Sequence, residues 1–316
     1  MQFTRSDPSR AFLIVILSIL CLASLSRDAS ARTNLRAYWV GNSLSWQVAP
    51  ELLAPTISGA RSDSLTYGYN VRTGSTLKQI WDDPTHEYAV QPYGFYPTAL
   101  SSYQWDAISL QPFSQTIEGS SGDRAYVSNF INYARQKSPN AQFYLYSQWP
   151  TVGNDGQLNF DQKWLGQYDG QLDDSVRTRD YYQDLLGVVR SDFAGASKPV
   201  LLVPAGDVMY ELNQRMHAGQ VPGYTDIQQF YSDGIHLKPV GSYMLGMTFY
   251  ATMFKTDPHG LGGWDQYGIT DAAVATAIQD AAWDVVRANP FTGVPEPSAG
   301  LFVLTGLALP ALRRRR

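Results

Sequence analysis

Nucleophilic catalysis needs side chains of the types found at Ser43, Asp233 and His236. Most of the chain separates Ser43 from the other two residues. A serine hydroxyl is a weak nucleophile and needs an adjacent base. A histidine takes the proton, and a carboxylate bonded to its other ring nitrogen fixes the tautomer and supports the positive form. The spacing from Asp233 to His236 lets these side chains meet if the segment forms a turn. We therefore expect Ser43 Oγ to lie about 2.6–3.2 Å from a ring nitrogen of His236.

Ser43 belongs to the segment GNSLS, which directly follows an apolar and aromatic run. Gly41 lets the chain turn sharply as it leaves a strand, and N–H groups at the start of the next helix can stabilise an oxyanion. Simpler roles exist for the same residues. Ser43 or Ser45 can cap a helix. Asp233 can cap the helix that follows it, and His236 can be an ordinary surface residue. The combination of all these features favours catalysis.

The elements that must position these residues alternate along the chain. Five runs rich in apolar, β-branched or aromatic residues are predicted strands: 35–40, 64–69, 107–111, 142–147 and 200–204. Seven further segments are predicted helices: 50–57, 76–81, 124–136, 179–193, 208–217, 239–254 and 271–288. This alternation favours an α/β fold with a parallel sheet and helices on both faces. Such sheets bind ligands at the carboxyl ends of their strands. Two long loops, 82–104 and 149–176, are candidates for substrate walls.

The two segments around Ser43 and His236 resemble sequence blocks of the GDSL/SGNH hydrolases. GNSLS resembles their first block, with Asn42 where the commonest form has aspartate, and DGIHL resembles their last block, Asp-x-x-His. The resemblance implies a three-layer α/β/α sandwich with a mainly parallel, flavodoxin-like sheet. It also implies a serine ester hydrolase that needs no cofactor. In that enzyme Ser43 attacks the ester, His236 acts as the base and Asp233 orients it.

The same resemblance suggests an oxyanion hole, although the third block is altered. NVRTGS, after the second predicted strand, resembles the second block, and Gly74 matches its glycine. After the third strand the family has Gly-x-Asn-Asp, whereas this chain has LQPFSQ. Gln115 is the best match for the asparagine, with Gln111 or Ser114 as alternatives. The resemblance therefore implies that the N–H groups of Ser43 and Gly74, with the Gln115 amide, hold the oxyanion.

Aromatic residues near the predicted strand ends are candidates for substrate contacts. Trp149 closes the fourth predicted strand and Trp81 ends the second predicted helix, and both are suited to sugar rings, although packing is the simpler role for each. None of the four histidines has the spacing of a metal site such as His-Glu-x-x-His. We therefore expect no bound metal.

Residues 1–31 have the three parts of a secretory signal peptide. Two arginines precede an apolar run at 11–25, and Ala-Ser-Ala ends the segment. The run is shorter than the ~20 residues of a spanning helix, so cleavage by signal peptidase after Ala31 is favoured over a membrane anchor. The only cysteine, Cys21, lies in this segment. The chain from residue 32 onwards therefore has no thiol for a disulfide or for catalysis.

Residues 294–316 resemble the PEP-CTERM sorting tail of Gram-negative bacteria. Val-Pro-Glu-Pro is followed by an apolar run at 299–312 and then by four arginines. The resemblance implies recognition by an exosortase, removal of the tail and delivery to the cell surface or the extracellular matrix. The apolar run would be a transient transmembrane helix whose arginines stay in the cytoplasm; a plain C-terminal anchor is the alternative. The domain at 32–290 would then contact the membrane only through these terminal segments.

The charge of the chain between the two signals limits its partners. Residues 32–297 contain 17 basic and 26 acidic side chains, a net charge of −9. Such a domain is a poor candidate for binding nucleic acid or anionic lipid. The main hypothesis is an exported esterase, with O-acetyl groups of extracellular polysaccharide as a candidate substrate. The altered third block supports an alternative: a surface protein of this fold with weak catalysis that binds glycan or extracellular matrix.

Overall fold

A six-stranded β-sheet forms the centre of the protein. The computed structural model describes residues 33–295, so the predicted signal peptide and the sorting tail from residue 296 onwards lie outside the described residues. The strands, β1 to β6 in chain order, are Asn34–Gly41, Ser64–Val71, Tyr88–Ala89, Ala107–Leu110, Gln142–Tyr146 and Leu201–Val203. Their order across the sheet is β3-β2-β1-β4-β5-β6, and every neighbouring pair is parallel except β2 with β3. The parallel strands follow the flavodoxin-like order, as predicted.

Ten α-helices occur in the described part of the chain. Numbered α1 to α10 in chain order, they are Ser43–Trp46, Pro50–Ala60, Leu77–Asp82, Tyr96–Ser102, Asp123–Arg135, Phe160–Trp164, Arg179–Asp192, Ala205–His217, Pro239–Phe254 and Ala272–Ala288. Short 3-10 helices lie at Asp174–Arg177, Ile227–Phe230 and Trp264–Tyr267.

The helices cover both faces of the sheet and complete a three-layer α/β/α sandwich. Two neighbouring residues of β1 mark the two faces, because successive strand side chains point in opposite directions. The Trp39 ring lies 5.9 Å from that of Phe249 in α9, whereas Tyr38 packs on Trp105 at 5.0 Å. Helices α2, α8, α9 and α10 form one layer, and α3, α4, α5 and α7 form the other. The predicted fold class is therefore confirmed.

The sequence predicts the long elements and misses the short ones. All five predicted strands and all seven predicted helices are present, with ends no more than three residues from those expected. The missed elements are β3, α1, α4, α6 and the 3-10 helices, and none of them exceeds seven residues. Segments of that length show too little periodicity to be recognised. The long loops consequently carry structure of their own: β3 and α4 lie in 82–104, and α6 lies in 149–176.

The chain stays packed on the sheet beyond residue 290, the expected end of the domain. Phe291 O accepts a hydrogen bond from Leu202 N at 2.9 Å, and Thr292 is fully buried.

Among residues 33–295, no helix combines the length and the apolar character that crossing a membrane requires. The expected transmembrane run at 299–312 lies outside the described residues.

Gly206 tests how tightly the helices pack near β6. It lies in the first turn of α8, and an added Cβ would lie 2.2 Å from the buried ring of Trp164 in α6. We expect Gly206→Ala to lower the free energy of unfolding by about 1–3 kcal/mol, because a filled core resists additional atoms. Urea denaturation measures the change.

Gly187→Ala in α7 is the matched control, because nothing lies within 4 Å of the Cβ it would add. This variant should raise the free energy of unfolding by about 0.4–1 kcal/mol, since it reduces the entropy of the unfolded chain. Equal changes in the two variants would contradict the packing described for Gly206.

Candidate active site

Ser43 lies at the carboxyl end of β1, in the single turn of α1. β1 ends at Gly41. Asn42 caps α1, because Asn42 Oδ1 accepts a hydrogen bond from Leu44 N at a distance of 3.0 Å. The cap is therefore Asn42, and neither Ser43 nor Ser45 has the capping role that sequence alone allowed. Ser43 is half-buried, so its hydroxyl remains accessible from one side.

A buried polar network holds the turn that carries Ser43. Gln111 Oε1 accepts hydrogen bonds from Asn42 N at 3.1 Å, Ser45 N at 3.1 Å and Ser45 Oγ at 2.7 Å. Its Nε2 donates to Asn42 Oδ1 at 3.0 Å. Only glycine fits at position 41, because a Cβ there would lie 2.1 Å from Ser45 Oγ and 2.6 Å from Gln111 Oε1. Gln111 is thus a scaffold residue, not the oxyanion donor considered as an alternative.

The structure brings Ser43, His236 and Asp233 into one hydrogen-bonded line. Ser43 Oγ lies 2.9 Å from His236 Nε2, and His236 Nδ1 lies 2.7 Å from Asp233 Oδ2. The expected range for the serine–histidine distance is confirmed. A carboxylate beside Nδ1 favours the proton on that nitrogen and leaves Nε2 to accept one. The connectivity is that of a nucleophile, a base and an orienting acid.

Asp233 is held as a carboxylate by its own turn. Its Oδ1 accepts hydrogen bonds from Ile235 N at 2.8 Å and His236 N at 2.7 Å, while Oδ2 faces the histidine ring. Partial burial acts to raise the pKa of Asp233, but these hydrogen bonds outweigh it and hold the pKa below its ordinary value. Asp233 does not cap α9, because the residue before that helix is Lys238; it closes the turn that carries His236.

Gln47 joins the serine segment to the histidine segment. It follows α1 directly, and its side-chain Nε2 donates to Leu237 O at 2.8 Å while its Oε1 accepts from Leu237 N at 3.2 Å. The Gln47 amide therefore pairs with both the N–H and the C=O of Leu237, the residue after His236. This pairing fixes the distance between His236 and Ser43. The sequence gives no signal for Gln47, because a lone glutamine carries no pattern.

Trp149 supports the histidine segment from the opposite side. Its Nε1 donates to Ile235 O at 2.8 Å, and Val152 N donates to Gly234 O at 2.9 Å. The indole has 0% exposure, so it has no free face for a ligand. The predicted substrate contact at Trp149 is therefore wrong, and the residue positions the turn that carries His236.

Trp81 has a packing role as well. Its ring stacks on Tyr96, with centroids 5.4 Å apart, and meets Phe130 and Tyr133 edge-on at 5.0 and 6.1 Å. These rings hold α3 against α4 and α5. Trp81 is only half-buried, so its substrate contact stays a prediction beside this packing role.

The predicted oxyanion donors Ser43 N and Gly74 N lie in two segments that a side-chain hydrogen bond joins. Neither Ser43 N nor Gly74 N donates a hydrogen bond to another group within residues 33–295. Gly74 has a φ of +63°, a conformation that favours glycine. Asn42 Nδ2 donates to Ser75 O at 3.2 Å, which ties the turn of Gly74 to the serine segment.

The loop after β4 carries the remaining donor candidates. Gln115 is half-buried, and its amide bonds to no other residue in the described range. Ser114 Oγ accepts a hydrogen bond from Arg177 at 3.0 Å and keeps its own proton to donate, so Ser114 stays the alternative. Gln115 stays a predicted oxyanion donor. Residues 33–295 contain no group of three or more His, Cys, Asp or Glu side chains arranged to hold a metal ion.

Together the fold and the site define an α/β protein with a Ser–His–Asp line at the carboxyl edge of its sheet. No protein-family model and no curated protein match the sequence. A DUF4886 family protein from Bacteroides uniformis is 17% identical over 80% of this chain and 95% of that one, with a TM-score of 0.55. A protein described as a GDSL-like lipase from Parabacteroides merdae is 14% identical over 71% of this chain and 98% of that one, with a TM-score of 0.40. The first similarity shows a shared fold, and neither assigns an activity to this chain.

The pairing between Gln47 and Leu237 generates a prediction about the reactivity of Ser43. We expect Gln47→Ala to slow the labelling of Ser43 by a fluorophosphonate probe about 10- to 100-fold, because a small displacement of the base costs that much. Labelling rates are measured by mass spectrometry of the serine peptide. Gln266→Ala is the matched control, since Gln266 is an exposed glutamine in a 3-10 helix whose side chain makes no hydrogen bond within the described residues. Equal rates in both variants would show that Gln47 does not position the base.

Proposed function

We propose that this protein is an exported serine esterase that hydrolyses carboxylic esters. The observation that carries the proposal is the line from Ser43 Oγ to His236 Nε2 and on to Asp233, with its distances of 2.9 and 2.7 Å. The line lies at the end of β1, where sheets of this kind bind ligands. The His236 side chain is 35% exposed, so a substrate can approach it from solvent. The resemblance of GNSLS and DGIHL to GDSL/SGNH hydrolases supports the same chemistry.

The proposed reaction has two halves that use the same groups. His236 Nε2 takes the proton from Ser43 Oγ as the oxygen attacks the ester carbonyl, and Asp233 supports the positive ring. The N–H groups of Ser43 and Gly74, with the Gln115 amide, hold the developing oxyanion. His236 then gives its proton to the leaving alcohol, and an acyl-serine remains. Water, activated by His236, releases the acid and restores the hydroxyl of Ser43.

The proposed setting of this reaction is the cell surface or the extracellular space of a Gram-negative bacterium. Signal peptidase would remove residues 1–31, and an exosortase would process the tail at 294–316. O-acetyl groups of extracellular polysaccharide are the proposed substrate. The net charge of −9 between residues 32 and 297 supports a neutral substrate over a polyanion.

A second candidate function is a glycan- or matrix-binding surface protein with weak catalysis. The altered third block supports it, because the asparagine that the family uses has only a longer amide, Gln115, as its counterpart. A fluorophosphonate probe separates the two candidates. Rapid labelling of Ser43 supports the esterase, whereas binding to glycan without labelling supports the surface protein.

The proposed roles of Ser43 and Asp233 lead to a kinetic prediction. With p-nitrophenyl acetate, we expect Ser43→Ala and Asp233→Asn each to lower kcat by about 10⁴-fold, the first because it removes the nucleophile and the second because it favours the wrong tautomer of His236. Ser58→Ala is the control for serine loss, since Ser58 is exposed in α2 and its hydroxyl donates only to Pro55 O of the same helix. It should retain most of the activity. Wild-type turnover by Ser43→Ala would rule out the mechanism.

Two glutamines after β4 allow the oxyanion role to be separated from a scaffold role. Gln115→Ala should lower kcat about 10²-fold with little change in stability, because one oxyanion donor is lost. Gln111→Ala should lower the free energy of unfolding by about 3 kcal/mol, because the buried Asn42 N–H and the Ser45 hydroxyl lose their acceptor. Kinetics and urea denaturation of both variants measure these effects. Unchanged kcat in Gln115→Ala would remove Gln115 from the oxyanion hole.

A further inference from the structure

An exposed aromatic surface borders the proposed active site. Trp46 and Tyr88 are 36% and 45% exposed, and they account for two of the four large hydrophobic side chains exposed within residues 33–295. Their ring centroids lie 4.6 Å apart with an angle of 54° between the planes, and Tyr69 lies 6.5 Å from Trp46. Trp46, Tyr69 and Tyr88 are called the aromatic patch below. Contiguous exposed apolar surface marks binding sites more often than single exposed side chains do.

Trp46 is fixed to the segment that carries the nucleophile. It is the last residue of α1, three positions after Ser43, and residues three apart lie on the same side of a helical turn. Trp46 N also donates to Asn42 O at 3.3 Å, which holds the single turn closed. The backbone of Trp46 therefore keeps a fixed position relative to Ser43.

Tyr88 is fixed to the segment that carries the second proposed oxyanion donor. It lies in β3 and pairs with Val71 at the end of β2. Its neighbour Glu87 accepts a hydrogen bond from Thr73 N at 2.6 Å, immediately before Gly74. The aromatic patch thus rests on both of the segments that supply the proposed oxyanion N–H groups, so it lies next to the position of an ester carbonyl.

The chemistry of the aromatic patch suits a sugar ring. Trp and Tyr combine a broad apolar face with a polar tip, and the C–H face of a pyranose with its rim of hydroxyls is complementary to that combination. A long acyl chain would need a continuous apolar groove, whereas the two exposed rings are tilted against each other. The net charge of −9 disfavours an anionic polymer.

We propose that the aromatic patch binds a pyranose ring of a neutral glycan and presents an O-acyl group of that glycan to Ser43. The inference rests on the proposed esterase activity and specifies the alcohol side of its substrate. Trp46 supplies the main stacking surface, and Tyr88 supplies the edge. Recognition of the sugar, not of the acyl group, then sets the specificity.

The experiment compares three esters that probe different parts of a substrate. They are oligosaccharides from O-acetylated xylan or glucomannan, whichever the wild-type protein cleaves better, p-nitrophenyl acetate and p-nitrophenyl decanoate. We expect Trp46→Ala to raise KM for the acetylated oligosaccharide about ten-fold and Tyr88→Ala about three-fold, because stacking contacts of roughly 0.5–1.5 kcal/mol are lost. Trp46→Phe should restore most of the binding. Leu165→Ala, a change at an exposed apolar residue in the 149–176 segment, is the control and should leave KM unchanged.

The outcomes separate this inference from the esterase proposal. If the wild-type protein cleaves p-nitrophenyl acetate but neither oligosaccharide ester, or if both patch variants leave KM for the oligosaccharide unchanged, the sugar surface is wrong and the esterase stands. An increase in KM confined to the decanoate would assign the aromatic patch to an acyl chain and would also overturn the inference. If no ester is cleaved, the esterase proposal fails. In that case, isothermal titration of the Ser43→Ala protein with the two deacetylated oligosaccharides decides: binding that Trp46→Ala abolishes supports the sugar surface, and no binding overturns it.

Discussion

The hydrogen bond between Ser43 Oγ and His236 Nε2 is the constraint on which the arrangement of this protein depends. It joins residues 193 positions apart in the chain, and a serine hydroxyl is a useful nucleophile only when its base lies within about 3 Å. Neither residue lies in a long element that would fix it. Ser43 occupies a single helical turn, and His236 lies between a 3-10 helix and α9. Their distance is therefore set by the contacts that surround them.

Those contacts are mostly polar, although they lie deep in the protein. Gln111 and Asn42 are each 1% exposed, and every hydrogen-bonding atom of the Gln111 amide has a partner in the turn of Ser43. A buried polar network is stabilising only when its members are satisfied, and it then permits one arrangement of the turn. Gln47 and Trp149 act similarly on the histidine segment by bonding to its main chain. The result is a rigid support around a reactive pair that remains half-open to solvent.

The sequence was sufficient for the features that depend on local pattern. Runs such as the one in β6 are apolar throughout because both faces of the strand are covered, so their burial could be recognised directly. The residue types and the order of Ser43, Asp233 and His236 were enough to predict that they meet.

The sequence was insufficient where a role depends on an atom brought from elsewhere. Gln47 and Gln111 act on main-chain atoms that only the folded chain places beside them. Trp149 was assigned to substrate because it closes a strand, but position at a strand end does not determine the direction of the ring. The sequence also did not identify Asn42 as the cap of α1. Serine and asparagine are both good caps, and only the conformation of the folded turn decides between them.

Both the oxygen and the nitrogen of the Asn42 side-chain amide are hydrogen-bonded, and this restricts which residue can occupy position 42. Oδ1 accepts from Leu44 N and Gln111 Nε2, while Nδ2 donates to Ser75 O. An aspartate there would set a buried carboxylate against a carbonyl oxygen with no proton between them, which is costly. Position 42 therefore needs a side chain that accepts at one atom and donates at another. Asparagine meets both requirements, whereas aspartate at position 42 would leave Ser75 O without its side-chain donor.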